Sequence, residues 1–117
     1  MERGHNMHHA LWTLASYKTS LEKALRNHTG LIVPLGLQEH RELHAHIDPP
    51  PKPDKRLILS SLEFLDDLPL STLTNEPETI RAYSEHLFTE RSGLATRIGK
   101  HLVRQLTYID RGYHNAN

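Results

Sequence analysis

The sequence predicts a mainly α-helical protein of the α+β class. The second half of the 117-residue chain repeats apolar residues at helical spacing, and the first half contains two short runs typical of strands. A proline-rich stretch separates the two halves. We therefore expect a short two-stranded ββα piece within residues 8–47, followed by a three-helix C-terminal half. A chain of this length has room for one domain, with residues 8–53 forming one segment and residues 54–117 supporting it.

The composition excludes several classes of protein. The chain has no cysteine, which rules out disulfides, thiolate catalysis and cysteine-bound zinc. Fourteen Lys and Arg balance fourteen Asp and Glu, so the chain is not a strongly basic nucleic-acid-binding domain. No window approaches the roughly 18 apolar residues of a membrane span, and the first residues lack the apolar stretch of a secretory signal. We therefore expect a soluble, cytoplasmic protein with no membrane partner.

Two short apolar runs predict the two strands. The first lies within His8–Thr13 and the second covers Leu31–Leu35, where Pro34 should end the pairing on one side. Because successive strand residues point to opposite faces, we expect His8 and His9 to face opposite sides of the first strand. The alternative interpretation is an exposed histidine pair close to a chain terminus.

Two helices are predicted in the first half. Thr19 stands three residues before Glu22, which is the spacing of a capping box, and the helix that follows should end near residues 27–28. Gly30 stands where a left-handed C-terminal helix cap belongs. A second helix is expected over residues 37–47. The proline run after it predicts an extended, solvated connector.

Three further helices are predicted after the proline run. They should cover residues 55–67, the stretch from Pro77 to about Gly93, and residues 94–109. Each repeats apolar residues three or four positions apart, so each should bury one face in the core. We expect these helices to pack on the first half through side chains such as Leu57, Leu62 and Ile98.

Histidine is concentrated in the first half of the chain. His40 and His44 are four residues apart on a predicted helix, so both imidazoles project from one face and could chelate one divalent metal ion. Local hydrogen bonding along that face is the alternative. Arg41 stands where the zinc-protease motif HExxH requires glutamate, which excludes a metalloprotease. His46 should point away from the pair, into solvent.

The order of these residues resembles the HNH branch of the His-Me finger nucleases. Proteins of that branch have a histidine on a first strand, an asparagine after a loop, and a second strand leading into a helix with metal-binding histidines. The matching residues here are His8-His9, Asn27, His40 and His44. The HH start, the segment RNHTGLIVPL and the HRELH segment followed by prolines are also similar to those of small bacteriophage proteins.

The resemblance implies a ββα-metal-like fold and a role for each matching residue. His9, or His8, would be the general base, Asn27 would orient the loop, and His40 and His44 would belong to the metal site. It implies a divalent ion (zinc, magnesium, manganese or nickel) and a nucleic-acid partner, in the cytoplasm of a host cell. Two features depart from the family pattern: Asn27 stands further from His40 than usual, and a helix separates the two strands.

Three functions fit these patterns. The first is metal-dependent nucleic-acid cleavage, or a catalytically inactive relic of it. The second is a non-enzymatic phage protein that binds and inhibits a host or defence protein, which suits a chain of zero net charge. A DNA-binding regulator is the least favoured, because no predicted helix concentrates basic residues. The enzyme interpretation requires His8 or His9 to lie close to His40.

Overall fold

The two predicted strands pair as an antiparallel sheet. The computed structural model describes residues 5–11, 19–73 and 76–115. In it, β1 (His5–His9) pairs with β2 (Ile32–Gly36). His8 lies opposite Val33 in this register. The fold class predicted from the sequence, mainly helical with a two-stranded sheet, is confirmed.

Both strands are displaced from their predicted positions. β1 begins before His8 and ends at His9, so the prediction of a strand over His8–Thr13 is wrong in position; residue 13 lies outside the described residues. β2 is shifted by one residue, because Leu31 ends a single 3-10 turn. Pro34 lies inside β2 opposite Met7, and a two-stranded sheet has only edge strands, where proline is tolerated.

The first two helices form where the sequence predicts them. α1 covers Ser20–Arg26, and its capping box is complete. The Glu22 N–H donates to Thr19 Oγ1 at 3.1 Å, and the Thr19 N–H donates to Glu22 Oε1 at 2.8 Å. α2 covers Leu37–His46 and follows β2 directly. The strand therefore sets the position from which the α2 side chains project.

Gly30 does not form the left-handed cap that the sequence predicts. Asn27 caps α1, and Gly30 lies in the 3-10 turn Thr29–Leu31. No glycine in the described part of the chain has a positive φ. A Cβ atom at Gly30 would lie 2.5 Å from Thr79 Cγ2. Close approach of the helix that carries Thr79, rather than backbone conformation, therefore requires glycine at this position.

The three predicted C-terminal helices are present, and a further short helix separates the first two. The short helix has four residues, too few for a periodic apolar pattern to reveal it. The last helix continues beyond its predicted end at residue 109, because each residue added to an existing helix adds a hydrogen bond. The helices are α3 (Lys55–Asp66), α4 (Leu70–Leu73), α5 (Glu76–Thr89) and α6 (Gly93–Asn115).

The proline-rich connector packs against the protein. Between Asp48 and Pro53 it forms neither helix nor strand, as predicted. Pro50 and Pro53 are nevertheless buried, and the Lys52 ammonium forms an ion pair with the Glu22 carboxylate of α1. The prediction that this connector is solvated is therefore wrong for these two prolines.

One hydrophobic cluster includes residues from both halves of the chain. Leu57 and Ile98 are buried in it, as expected, whereas Leu62 is only partly buried at its edge. The part of the chain that the structure describes contains no helix long and apolar enough to cross a membrane. The leucines of the cluster that are 0% exposed are Leu11, Leu25, Leu31, Leu43, Leu65, Leu87 and Leu102.

Removing a core side chain from α6 should destabilise the protein. Leu102 is 0% exposed, so Leu102→Ala should lower the free energy of unfolding by about 2–5 kcal/mol through lost burial and the cavity left behind. Its neighbour Val103 is 44% exposed, and Val103→Ala should change stability by less than about 0.5 kcal/mol. Urea unfolding of both variants measures this difference, and equal losses would contradict the assignment of the buried face.

Candidate metal centre

Three histidines from β1 and α2 converge on one site. His8 lies on the inward face of β1 and is only 1% exposed. His40 and His44 lie one turn apart on α2, with His40 half-buried and His44 exposed. The cluster therefore extends from the protein interior to the surface. The strand histidine and His40, whose proximity the enzyme interpretation requires, have ring centroids 5.2 Å apart.

The three imidazoles are close enough to share one metal ion. One ring nitrogen of each lies within 4.8 Å of the other two. His40 Nε2 and His44 Nε2 are 3.0 Å apart. Tetrahedral coordination with metal–nitrogen bonds of 2.0–2.1 Å places ligand atoms about 3.3 Å apart, so these two nitrogens already lie close to the separation that a shared ion requires. Three nitrogen donors also leave one position of such a site for water or substrate.

The three imidazoles are held in the form that binds metal. The pKa of His8 is lowered from 6.5 to about 4, because burial and the neighbouring histidines outweigh the opposing effect of the hydrogen bond to Gln105. Burial also lowers the pKa of His40, with His44 adding to the effect, and burial lowers the pKa of His44. Neutral imidazole carries the lone pair that coordinates a metal, so these shifts favour binding near neutral pH.

His9 and Asn27 lie beside the cluster. Burial lowers the pKa of half-buried His9, the Arg26 guanidinium lowers it further, and a hydrogen bond with the Asn27 side chain acts in the opposite direction. His9 also interacts electrostatically with His40. The residues that the sequence analysis assigned to catalysis or metal binding therefore lie in one region: His8, His9, Asn27, His40 and His44.

Gln105 also belongs to this region, although no sequence pattern described above assigns it to the site. Gln105 of α6 is 1% exposed, and its Oε1 lies 2.8 Å from His8 Nε2. The C-terminal helices were expected to act only as support. The signal for Gln105 was a polar residue three positions after Leu102 and four before Ile109, on the apolar face of the predicted helix.

Two other histidines of the first half have structural roles. His46 is exposed, as predicted; its Nδ1–H donates to the Glu42 carbonyl at 2.8 Å, and its ring stacks on Tyr108. His28 Nδ1 accepts from the Gly30 N–H at 3.1 Å and thereby caps the 3-10 turn. Neither histidine belongs to the group of His8, His40 and His44 that could hold a metal ion.

A second polar cluster has the residue types of a catalytic triad but not its geometry. Ser60 Oγ donates to Glu90 Oε2 at 2.7 Å and lies 3.1 Å from His86 Nε2. The same Glu90 oxygen lies 3.3 Å from the same nitrogen of His86. In a triad, the acid binds the ring nitrogen opposite the one that faces the serine. This cluster therefore connects α3 with α5 and does not activate Ser60.

Comparison with known proteins finds no match for this chain. No family model matches it, and no match is found among the curated proteins or the solved structures. The assignment of the site therefore depends on the geometry and chemistry of its own residues.

Acid should destabilise the protein through His8. The pKa of His8 is about 4 in the folded protein and 6.5 in the unfolded chain. Between these two pH values, His8 is therefore protonated in the unfolded chain but not in the folded protein. Stability should be retained above pH 6.5 and lost as the pH falls towards 4, by about 3 kcal/mol. Urea unfolding across this range should show a weaker pH dependence for His8→Gln. The control His46→Gln, an exposed position, should keep the wild-type dependence; unchanged behaviour of His8→Gln would contradict the role of His8.

Zinc should stabilise the folded protein. A ligand that binds only the native state at a hundred times its Kd contributes about 2.7 kcal/mol, so the melting temperature of untagged protein should rise. His40→Ala and His44→Ala should weaken the effect, and protonation of the imidazoles should weaken it below about pH 6. His46→Ala, on the same helix but outside the cluster, should respond like the wild type. A loss of the effect in His46→Ala as large as in His40→Ala would indicate adventitious binding.

Proposed function

We propose that the protein is an HNH-like, metal-dependent nuclease that cleaves nucleic acid in the cytoplasm of a host cell. The observation that carries the proposal is the convergence of His8, His40 and His44, with one ring nitrogen of each within 4.8 Å of the others. His8 lies on β1, and β2 leads directly into α2, which carries His40 and His44. The resemblance to the HNH branch implies this strand pair and helix, with α1 as an addition between the strands. The proposal adds His8 to His40 and His44 as a third metal ligand.

The donor set favours some of the candidate ions over others. Imidazole nitrogen suits zinc and nickel, whereas magnesium and manganese prefer carboxylate, carbonyl and water oxygen. Among the residues that the structure describes, the group that could hold an ion consists of the three histidines and contains no carboxylate. Zinc and nickel are therefore the leading ions. When bound, such an ion would supply Lewis-acid stabilisation of negative charge on a phosphate oxygen.

His9 is the proposed general base. Its pKa lies below the ordinary 6.5, so the ring is mostly neutral at pH 7 and can accept a proton. His9 takes that proton from a water molecule as the water oxygen bonds to phosphorus and the bond from phosphorus to the leaving sugar oxygen breaks. The hydrogen bond with Asn27 restrains the imidazole and stabilises its protonated form after the transfer. His8 is unsuited to this role, because it is buried.

Arg26 is the proposed phosphate contact. Its guanidinium lies close enough to His9 to lower the pKa of that ring, and its Nη1 donates to Asn27 Oδ1 at 3.1 Å. A half-buried guanidinium held in this way can donate charge-assisted hydrogen bonds to a phosphate oxygen. The chain has zero net charge, so a local contact of this kind must compensate for weak long-range attraction to nucleic acid.

Removing the proposed base should slow cleavage strongly but leave metal binding intact. His9→Ala should lower the rate of DNA nicking by about 10²–10⁴-fold, while zinc still raises the melting temperature. Wild-type activity should rise with pH and level off, with its midpoint below pH 6.5, because the pKa of His9 is lowered. The cleavage rate and its pH dependence are measured on plasmid DNA and on single-stranded DNA, each with zinc, nickel, manganese or magnesium.

His46→Ala is the matched control for the cleavage experiment and should retain full activity, because His46 lies outside the cluster. Equal losses in His9→Ala and His46→Ala would contradict the role of His9. If wild-type protein binds zinc but cleaves neither single- nor double-stranded substrates with any of the four ions, the nuclease proposal fails. A catalytically inactive relic, or a binding protein directed at a host or defence protein, then becomes the leading function.

A further inference from the structure

A hydrogen-bond network leads from His8 into the C-terminal half. His8 Nε2 lies 2.8 Å from Gln105 Oε1. The Gln105 amide nitrogen contacts the Ala10 carbonyl oxygen at 2.9 Å and His101 Nδ1 at 3.0 Å. His101 Nε2 contacts the backbone carbonyl oxygen of Asp48. This hydrogen-bond network therefore connects β1, α6 and the segment that follows α2.

The donor and the acceptor of each hydrogen bond in this network can be assigned from the groups at its two ends. A carbonyl oxygen only accepts, so His101 Nε2 carries a proton towards Asp48, and neutral His101 has a lone pair on Nδ1. The Gln105 amide nitrogen, which only donates, can then serve both His101 Nδ1 and the Ala10 carbonyl. This orients the amide with Oε1 towards His8. His8 must therefore donate from Nε2.

We propose that Gln105 is a positioning residue of the metal centre, which selects Nδ1 as the ligating nitrogen of His8. A neutral imidazole carries one proton, so holding that proton on Nε2 leaves the lone pair on Nδ1. The inference rests on the metal centre of the proposed function. Outer hydrogen bonds of this kind set the tautomer and the ring orientation of a histidine ligand and raise its basicity.

The same hydrogen-bond network also connects the two parts of the metal centre. His8 and Ala10 belong to β1 and the loop after it, whereas Asp48 follows the helix that presents His40 and His44. Both ends are bound to α6 through residues one turn apart. α6 therefore fixes the distance between the strand histidine and the helix histidines before an ion binds. This arrangement lowers the cost of ordering the ligands.

The tautomer can be measured in the wild-type protein. Long-range ¹H–¹⁵N correlation spectra of metal-free, histidine-labelled protein at neutral pH should show the proton on Nε2 of both His8 and His101. After zinc is added, His8 should keep its Nε2 proton while its Nδ1 resonance shifts. A proton on His8 Nδ1 in the metal-free protein, or zinc on Nε2, would overturn the proposal.

Zinc affinity gives a second, independent measurement. In a competition titration with a chromophoric chelator, Gln105→Leu should bind zinc about 10–100-fold more weakly than wild type. Gln38→Leu is the matched control and should keep wild-type affinity, because Gln38 is exposed on α2 and pairs with Glu42. His101→Phe should cause a smaller loss than Gln105→Leu, because the Ala10 carbonyl still orients the amide.

These outcomes separate the inference from the nuclease proposal. Zinc binding without cleavage overturns the nuclease proposal alone. Wild-type affinity in a folded Gln105→Leu variant overturns the role of Gln105 alone. If Gln105→Leu does not fold, the tautomer of His8 in the wild-type protein and the zinc titration of His101→Phe decide whether Gln105 has this role. If wild-type protein binds neither zinc nor nickel, no ligand remains for Gln105 to position and both proposals fail.

Discussion

A buried hydrogen bond between the first strand and the last helix is the constraint on which the rest of the structure depends. His8 is buried in the interior, where a polar ring requires a hydrogen-bond partner to offset the loss of water. Gln105, 97 residues further along the chain, supplies it. A two-stranded sheet is marginally stable by itself. α6 therefore holds β1 in place in addition to β2.

This constraint gives the C-terminal helices a role beyond support. Their leucine and isoleucine side chains form much of the core, as expected of amphipathic helices. α6 also directs Gln105 towards His8 of β1 and His101 towards the Asp48 carbonyl that follows α2. The C-terminal helices thus contribute apolar side chains to the core and the amide that hydrogen-bonds buried His8.

The histidine cluster also fits the charge of the chain. His40 Nε2 and His44 Nε2 are within hydrogen-bond distance, so in the metal-free protein one ring donates a proton and the other accepts it. An ion held by three neutral imidazoles keeps its full positive charge, because these ligands carry no charge themselves. In the proposed function, a protein of zero net charge would thereby acquire a local cationic centre for an anionic substrate.

The sequence by itself determined most of the helices and the placement of two of the three histidines of the cluster. Thr19 and Glu22 mark the start of α1, apolar periodicity marks α3, α5 and α6, and the spacing of His40 and His44 places both on one face of α2. Only the tertiary structure decided where β1 lies, which way His8 points and that Gln105 meets it. Helices and their caps form through contacts between residues three or four apart, which a local pattern records. Strand pairing and the contact between His8 and Gln105 join distant residues, and no local pattern in either segment specifies the other.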